Sequence, residues 1–137
     1  MNWTPLARYT PIALAVLRIV TALLFIEHGT QKLLGFPAPQ MPMGAGGGLP
    51  PMMLMAGVLE TAGGLMVLVG FLTRPIAFIL AGEMAVAYWM VHVGMGGFFP
   101  VNNGGDGAVL FCFVFLYLVI AGPGTWSIDG SRQRAAA

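Results

Sequence analysis

The sequence predicts an all-α integral membrane protein, a four-helix bundle running up and down, antiparallel, with both termini cytoplasmic. Three observations predict it. Hydrophobic residues make up 58% of the 137-residue chain and charged residues only 8%, whereas a soluble domain carries about a quarter charged residues. Mean hydropathy is +0.84, so a bilayer is the expected solvent. The apolar residues gather into four long runs, with no strand-like alternation. Backbone in hydrocarbon must satisfy its own hydrogen bonds, which makes those runs helices. By length the chain is one domain, residues 1–137.

The first helix is expected over residues 12–34. Only Arg8 precedes it closely, the run contains Arg18, and no small-x-small cleavage site ends it. It therefore reads as a retained membrane helix rather than a secretory signal. The second is expected over residues 51–72 and the third over 75–93. These three meet the ~20 residues needed to cross ~30 Å of hydrocarbon. The fourth, residues 107–121, is short and must borrow from its Gly-rich start or from the segment through Trp126. "GFPAPQMPMGAGGGLP" (35–50) is too rich in Pro and Gly to be helical throughout. "LTRP" (72–75) is a tight turn with Pro75 opening the third helix. "GMGGFFPVNNGGD" (94–106) is a second Gly-rich loop, and the tail "SRQRAAA" is expected to fray.

Four spans put both termini and the tight turn on one side, together with Arg8, Arg74, Arg132 and Arg134. The two long loops hold no Lys or Arg; the nearest is Lys32. The positive-inside rule then makes that side the cytoplasm of a bacterial inner membrane. Trp3, Tyr9 and Trp126 would lie at the inner surface, and Phe36, Trp89, Phe98 and Phe99 at the outer one.

Several functions are excluded. A net charge of +1 leaves no basic footprint for nucleic acid. Cys112 is the single cysteine, which rules out an internal disulfide, a CxxC pair and a cysteine zinc site. No HxxxH or ExxH spacing supports a metal centre, and no haem motif or flavin fingerprint is present. The methionines of "MPMGAGGGLPPMMLM" read as packing and lipid-facing residues rather than copper ligands.

Ionisable residues inside spans are costly and face the protein interior. Arg18 lies about six residues from the cytoplasmic end and Glu83 about eight, on helices running the same way. They are expected to pair, as a structural ion pair or, in the functional reading, as a proton or anion site. A second set lies nearer the outside. Glu27 and Gln31 are i,i+4, as are His28 and Lys32. The four are read as one broad polar face turned toward the second and third helices. Gly57, Gly63 and Gly64 would let the second helix approach closely around Glu60. The expectation is a polar pocket below the outer loops. Glu27, His28 and Glu60 are the candidate catalytic groups, and His28, Gln31, Lys32 and His92 the candidate ligand-binding groups. Simpler roles stand beside these: His92 as a cap or an interfacial residue, Asp106 as the cap of the fourth helix, and Lys32 reaching outward to water.

The motifs "RIVTALLFIEHGTQKLLGF", "GVLETAGGLMVLVGFLTRP", "AGEMAVAYWMVHVGMGGFF…NNGGD" and "GPGTWSIDG", in this order, resemble the DoxX family of small four-helix membrane proteins. Arg18, His28, Gly29, Lys32, Glu60, Gly64 and Arg74 occupy matching positions. The resemblance implies a membrane component of a redox system, some relatives being linked to thiosulfate:quinone oxidoreduction, oxidative-stress complexes or quinone detoxification. It assigns no single reaction, and Cys112 alone does not fit thiol exchange. Three roles follow. One is a quinone-linked redox subunit, with His28 bonding the head group and Glu27 or Glu60 relaying protons. Electrons would then be carried by a partner chain or the quinone itself, because the chain has no haem, flavin or metal motif. Another is an accessory or assembly subunit that docks on other membrane subunits or on copies of itself. The third is a small-solute or proton transporter, against which no clear inverted repeat is found.

Overall fold

Pro11 and Gly35 bracket the first long helix. Proline at the second helical position costs no hydrogen bond, since that N–H has no partner in the first turn. Gly35 ends the helix in the left-handed region at φ 65°, where its N–H donates to Gln31 O at 3.1 Å. The computed structural model describes residues 4–39 and 49–135. A 3₁₀ turn, Thr4–Tyr9, leads into α1, Thr10–Leu34. Next come α2, Pro51–Val69, and α3, Thr73–Ala87. The third helix continues through a π-helical turn, Tyr88–His92, into α4, Val93–Gly96. A short α5, Pro100–Asn103, precedes α6, Asp106–Ala121, and α7, Ile128–Ala135, closes the described chain. No strand occurs among the described residues.

Three stretches are long and apolar enough to cross a membrane: Pro5–Leu34, Pro51–Val69 and Thr73–Gly96. The 16 residues of α6 are fewer, about 24 Å of helix. The four long helices pack as a ring: α1 on α2, α2 on α3, α3 on α6 and α6 on α1. Their shared core holds Phe25, Val67, Leu80, Phe115 and Leu118. Phe25 meets Phe115 edge-on, with ring centroids 4.8 Å apart. Small residues set the α1–α2 distance. A Cβ on Gly29 would lie 2.7 Å from Thr61 N and 2.9 Å from Gly57 O. Backbones can approach this closely only where no side chain intervenes.

One end of the ring is tied together by the chain after α6. Thr125 N–H donates to Pro11 O at 3.3 Å, and Asp129 N–H to Gly70 O at 2.9 Å. The start of α1, the α2–α3 turn and the C-terminal segment therefore adjoin. The expected fraying of the tail does not hold through Ala135: Ile128–Ala135 is helical. Asp129 anchors it, its carboxylate accepting the Leu72 N–H at 3.0 Å and the Thr73 N–H at 2.8 Å. Burial alone would raise the Asp129 pKa. The hydrogen bonds from Thr73 and Leu72 and the Arg132 charge outweigh that and hold it below the ordinary carboxyl value.

Boundaries differ from the sequence reading at several helix ends, most informatively on either side of the α2–α3 turn, and in one loop. The second helix stops at Val69, because Gly70 turns left-handed at φ 67°. The third begins at Thr73, two residues before Pro75, because Asp129 satisfies the N–H groups of Leu72 and Thr73. The 94–106 segment is largely ordered into α4 and α5 rather than an open loop. Of the expected 35–50 loop, residues 40–48 lie outside the described residues, as does Trp3.

Candidate functional site

Arg18 is fully buried, but it does not pair with Glu83. Its Nε donates to Pro123 O at 2.8 Å, Nη1 to Val67 O at 2.8 Å and to Leu68 O, and Nη2 to Thr125 O at 3.2 Å and Trp126 O at 2.8 Å. The expected ion pair is thus replaced by a cage of backbone carbonyls. The physical reason is local: the last carbonyls of a helix lack intrahelical partners, the Gly70 N–H serves Val67 O but leaves Leu68 O to Arg18, and the carbonyls of the segment after α6 converge on the same place. A planar guanidinium with several fixed donors can serve both sets at once.

Glu83 is left to a different site. Between α1, α2, α3 and α6 lies a cavity of about 480 Å³. Helix α1 contributes Phe25, His28 and Lys32; α2 contributes Glu60 and a wall of Met52, Met55, Ala56 and Leu59. Helix α3 and its π turn contribute Glu83 and His92, and α6 contributes Ala108 and Phe111. Lys32 Nζ bridges both Glu60 oxygens, at 2.7 and 2.6 Å. The reading of Lys32 as reaching outward is therefore replaced by a pair that spans α1 and α2. Both Glu83 carboxyl oxygens are buried and have no hydrogen-bond partner among the described residues. His28 stands edge-on to Phe111, centroids 5.8 Å apart. His92 Nδ1 lies 3.2 Å from Asn103 O, which ties the π turn to α5. The π turn adds one residue to the helical repeat and so shifts the face that follows it.

The four-residue polar face expected on α1 divides. His28 and Lys32 line the cavity, whereas Glu27 and Gln31 do not. Glu27 is exposed on the outer side of α1, and Gln31 Nε2 donates to Pro37 O at 3.2 Å. The pairs 27/31 and 28/32 are adjacent i,i+4 rows, one residue or about 100° apart around a helix. The 28/32 row borders the cavity and the 27/31 row does not, although His28 is itself exposed and Gln31 half-buried. Asp106 stands in the first turn of α6 but makes no side-chain cap there, and it is not among the cavity residues. The sequence expectation pairs Glu83 with Arg18 and so leaves it out of the pocket that it in fact lines. Its one available signal was its place one turn before Ala87, on the face that carries Gly82 and Val86.

The DoxX family model matches residues 13–93. That stretch takes in all but the first turn of α1, together with α2 and α3, and carries His28, Lys32, Glu60, Glu83 and His92, over more than half of the chain. The chain belongs to the DoxX family. Among DoxX relatives, an uncharacterized protein of Haemophilus influenzae is 48% identical over 126 residues, covering 90% of this chain and 93% of the relative. Inner membrane protein YqjF of Escherichia coli is 35% identical, covering 86% and 90%. Inner membrane protein YphA of Escherichia coli is 32% identical, covering 87% and 89%. No solved structure matches. Helices long enough to cross and relatives of the inner membrane make this DoxX protein a multi-pass protein of the bacterial inner membrane.

Proposed function

We propose that this DoxX protein is a redox-associated membrane subunit that holds a quinone-type head group in the cavity between α1, α2, α3 and α6. The carrying observation is Glu83: a carboxyl with both oxygens buried and without a hydrogen-bond partner among the described residues, lining a mostly apolar cavity beside the Lys32–Glu60 pair. Buried polar groups are nearly always hydrogen-bonded. An orphan in a cavity therefore favours an occupant with polar atoms at one place and apolar surface elsewhere. A ring with oxygen substituents has that form, and about 480 Å³ lies within the usual range for small-molecule sites. His28, Lys32 and His92 would bond and orient the ring oxygens, with Glu60 and Glu83 exchanging protons at them. A bound quinone would supply the two-electron chemistry that these side chains lack.

The reading includes four crossings, with α6 as the last, and both termini in the cytoplasm. The end carrying Arg8, Arg74, Arg132 and Arg134 is then the inner one. The test is purification in native lipid discs followed by mass spectrometry of the retained small molecules. Wild type should carry a quinone, and His28→Ala should lose it while keeping its helical circular dichroism. A wild type free of quinone counts against the proposal.

A second reading, an accessory subunit within a larger membrane complex, is favoured by Glu27. A carboxyl exposed on the outer face of a membrane helix is costly in lipid. A partner helix bearing a hydrogen-bond donor would satisfy it. Under this reading Glu27→Leu should abolish co-purification of another membrane chain, while Glu60→Gln leaves it intact.

A further inference from the structure

Helices α2 and α3 form a V whose vertex is the Gly70–Leu72 turn. Near the vertex they touch: a Cβ on Gly63 would lie 2.8 Å from Leu80 Cδ2. One turn further from the vertex, Glu60 and Glu83 already border the cavity instead of each other. Beyond them the two helices present Met52 and Met55 on one side and Val86 and Met90 on the other. All four residues are about half exposed or more and also line the cavity, as does Ile79 on α3. Exposure that large in cavity-lining residues is more than the cavity wall alone accounts for and marks an opening. Gly82 stands at the same opening, exposed, cavity-lining, and with empty space where a Cβ would project. Gly82 and Val86 stand midway along the Thr73–Gly96 span, at hydrocarbon depth, while Met52 and Met55 carry the opening up to the first turns of α2. Its methionines are unbranched and adapt to irregular apolar surfaces.

We infer that the slot between α2 and α3 is a lateral portal through which the occupant arrives from the bilayer core and out of which its hydrocarbon tail extends. The inference rests on the head-group reading given above and adds the substrate class: a lipid with a polar ring and a long apolar tail, rather than a water-soluble ring compound. The polar ends of the cavity, at Lys32–Glu60 and Glu83, hold the head. The apolar rim at Gly82, Val86 and the methionines holds the first units of the tail. A second opening, near Gly104 and Gly107 at the start of α6, is the competing aqueous route.

Binding of two probes to the protein in lipid nanodiscs tests this. One is duroquinone, a methylated ring without a tail; the other is decylubiquinone, a ring with a decyl tail. The variants are Gly82→Leu and Val86→Trp, which fill the slot from one helix, and Gly107→Leu, which fills the aqueous end. The Cβ atoms added at Gly82 and Gly107 meet nothing within 4 Å, so these two leucine variants should fold. Gly82→Leu and Val86→Trp should each weaken decylubiquinone about tenfold or more, while duroquinone changes by less than about twofold. Gly107→Leu should change neither. Equal binding of decylubiquinone to wild type and both slot variants overturns the portal and leaves the head-group site standing. So does a loss of both probes together in the slot variants, which would place the slot over the head group. So does a loss of decylubiquinone in Gly107→Leu alone. A wild type that binds neither probe overturns the head-group reading itself.

Discussion

Lys32 and Glu60 show how one pair of side chains can be both a structural tie and part of a site. Glu60 is only 4% exposed at its side chain and Lys32 19%, so neither charge is well solvated. Removing one partner leaves a buried charge, and such truncations cost roughly 3–5 kcal/mol. Lys32→Met should destabilise the protein by that order in reversible unfolding from detergent micelles. The double variant Lys32→Met/Glu60→Leu should recover most of the loss, because no unpaired charge remains. A double variant no better than the single would show that the pair is not the source of the effect. Arg18 differs, since its partners are backbone carbonyls that no substitution can remove. Arg18→Lys should still destabilise, by roughly 1–3 kcal/mol, because an ammonium cannot reach the α2 and post-α6 carbonyls together. The sequence shows that Arg18 and Glu83 need partners. It cannot show that carbonyls brought in from residues 123–126 would reach Arg18 first.

At the scale of elements, α1 and α2 are joined by the absence of side chains, and α7 chiefly by Asp129, through its carboxylate and its backbone N–H. Gly29→Leu would drive a side chain into Thr61 and the Gly57 carbonyl. Overpacking of this kind costs about 1–3 kcal/mol when the neighbours can shift, and backbone on both sides restricts that. A thermal melt should place Gly29→Leu well below Gly82→Leu, which meets open space. For α7, the Asp129 pKa is lowered in the folded protein, so Asp129 stabilises the docked helix only when ionised. That stabilisation is full well above the unfolded carboxyl pKa of about 3.9. It is lost as the pH falls through the lower folded value. Hydrogen exchange at the Leu72 and Thr73 amides should accordingly show protection near neutral pH that declines in acid. Asp129→Asn should weaken the protection at neutral pH and flatten that decline. The helices themselves were legible from hydropathy, and α1 was placed within two residues at its start. The docked α7 was not, because its stability comes from a contact between residues 72–73 and 129, far apart in the chain. The split of the α1 polar face was also hidden: i,i+4 spacing says which residues share a row, not which of two adjacent rows faces the bundle.

For the molecule as a whole, the question is how the ring of helices sits in the bilayer. The hydrogen bonds from Thr125 to Pro11 and from Asp129 to Gly70 put the start of α1, the α2–α3 turn and α7 at one end. Arg74 is at that end too, its Nη1 donating to Val119 O and Ile120 O at 2.6 Å each, where α6 closes. Arg132 lies over the Phe71 ring, 5.2 Å from its centroid. Arg8, Arg74, Arg132 and Arg134 thus gather at the end that carries the start of α1 and α7, while Lys32 is at the other end and Trp89, Phe98 and Phe99 pack together near it. Charge bias of this kind orients membrane proteins, and the roughly 24 Å of α6 is short of the ~30 Å of a typical hydrocarbon core, so its crossing is the point to test. Cys112 is the sole cysteine, so Cys112→Ser gives a clean background for mapping. In that background a cysteine at Ser131 should resist a membrane-impermeant maleimide in intact cells and react after permeabilisation. A cysteine at Val101, exposed in α5, should react in intact cells. The reverse pattern would invert the orientation. Labelling of both positions in intact cells would mean that α6 does not cross, and that the bundle lies in the membrane with three spans.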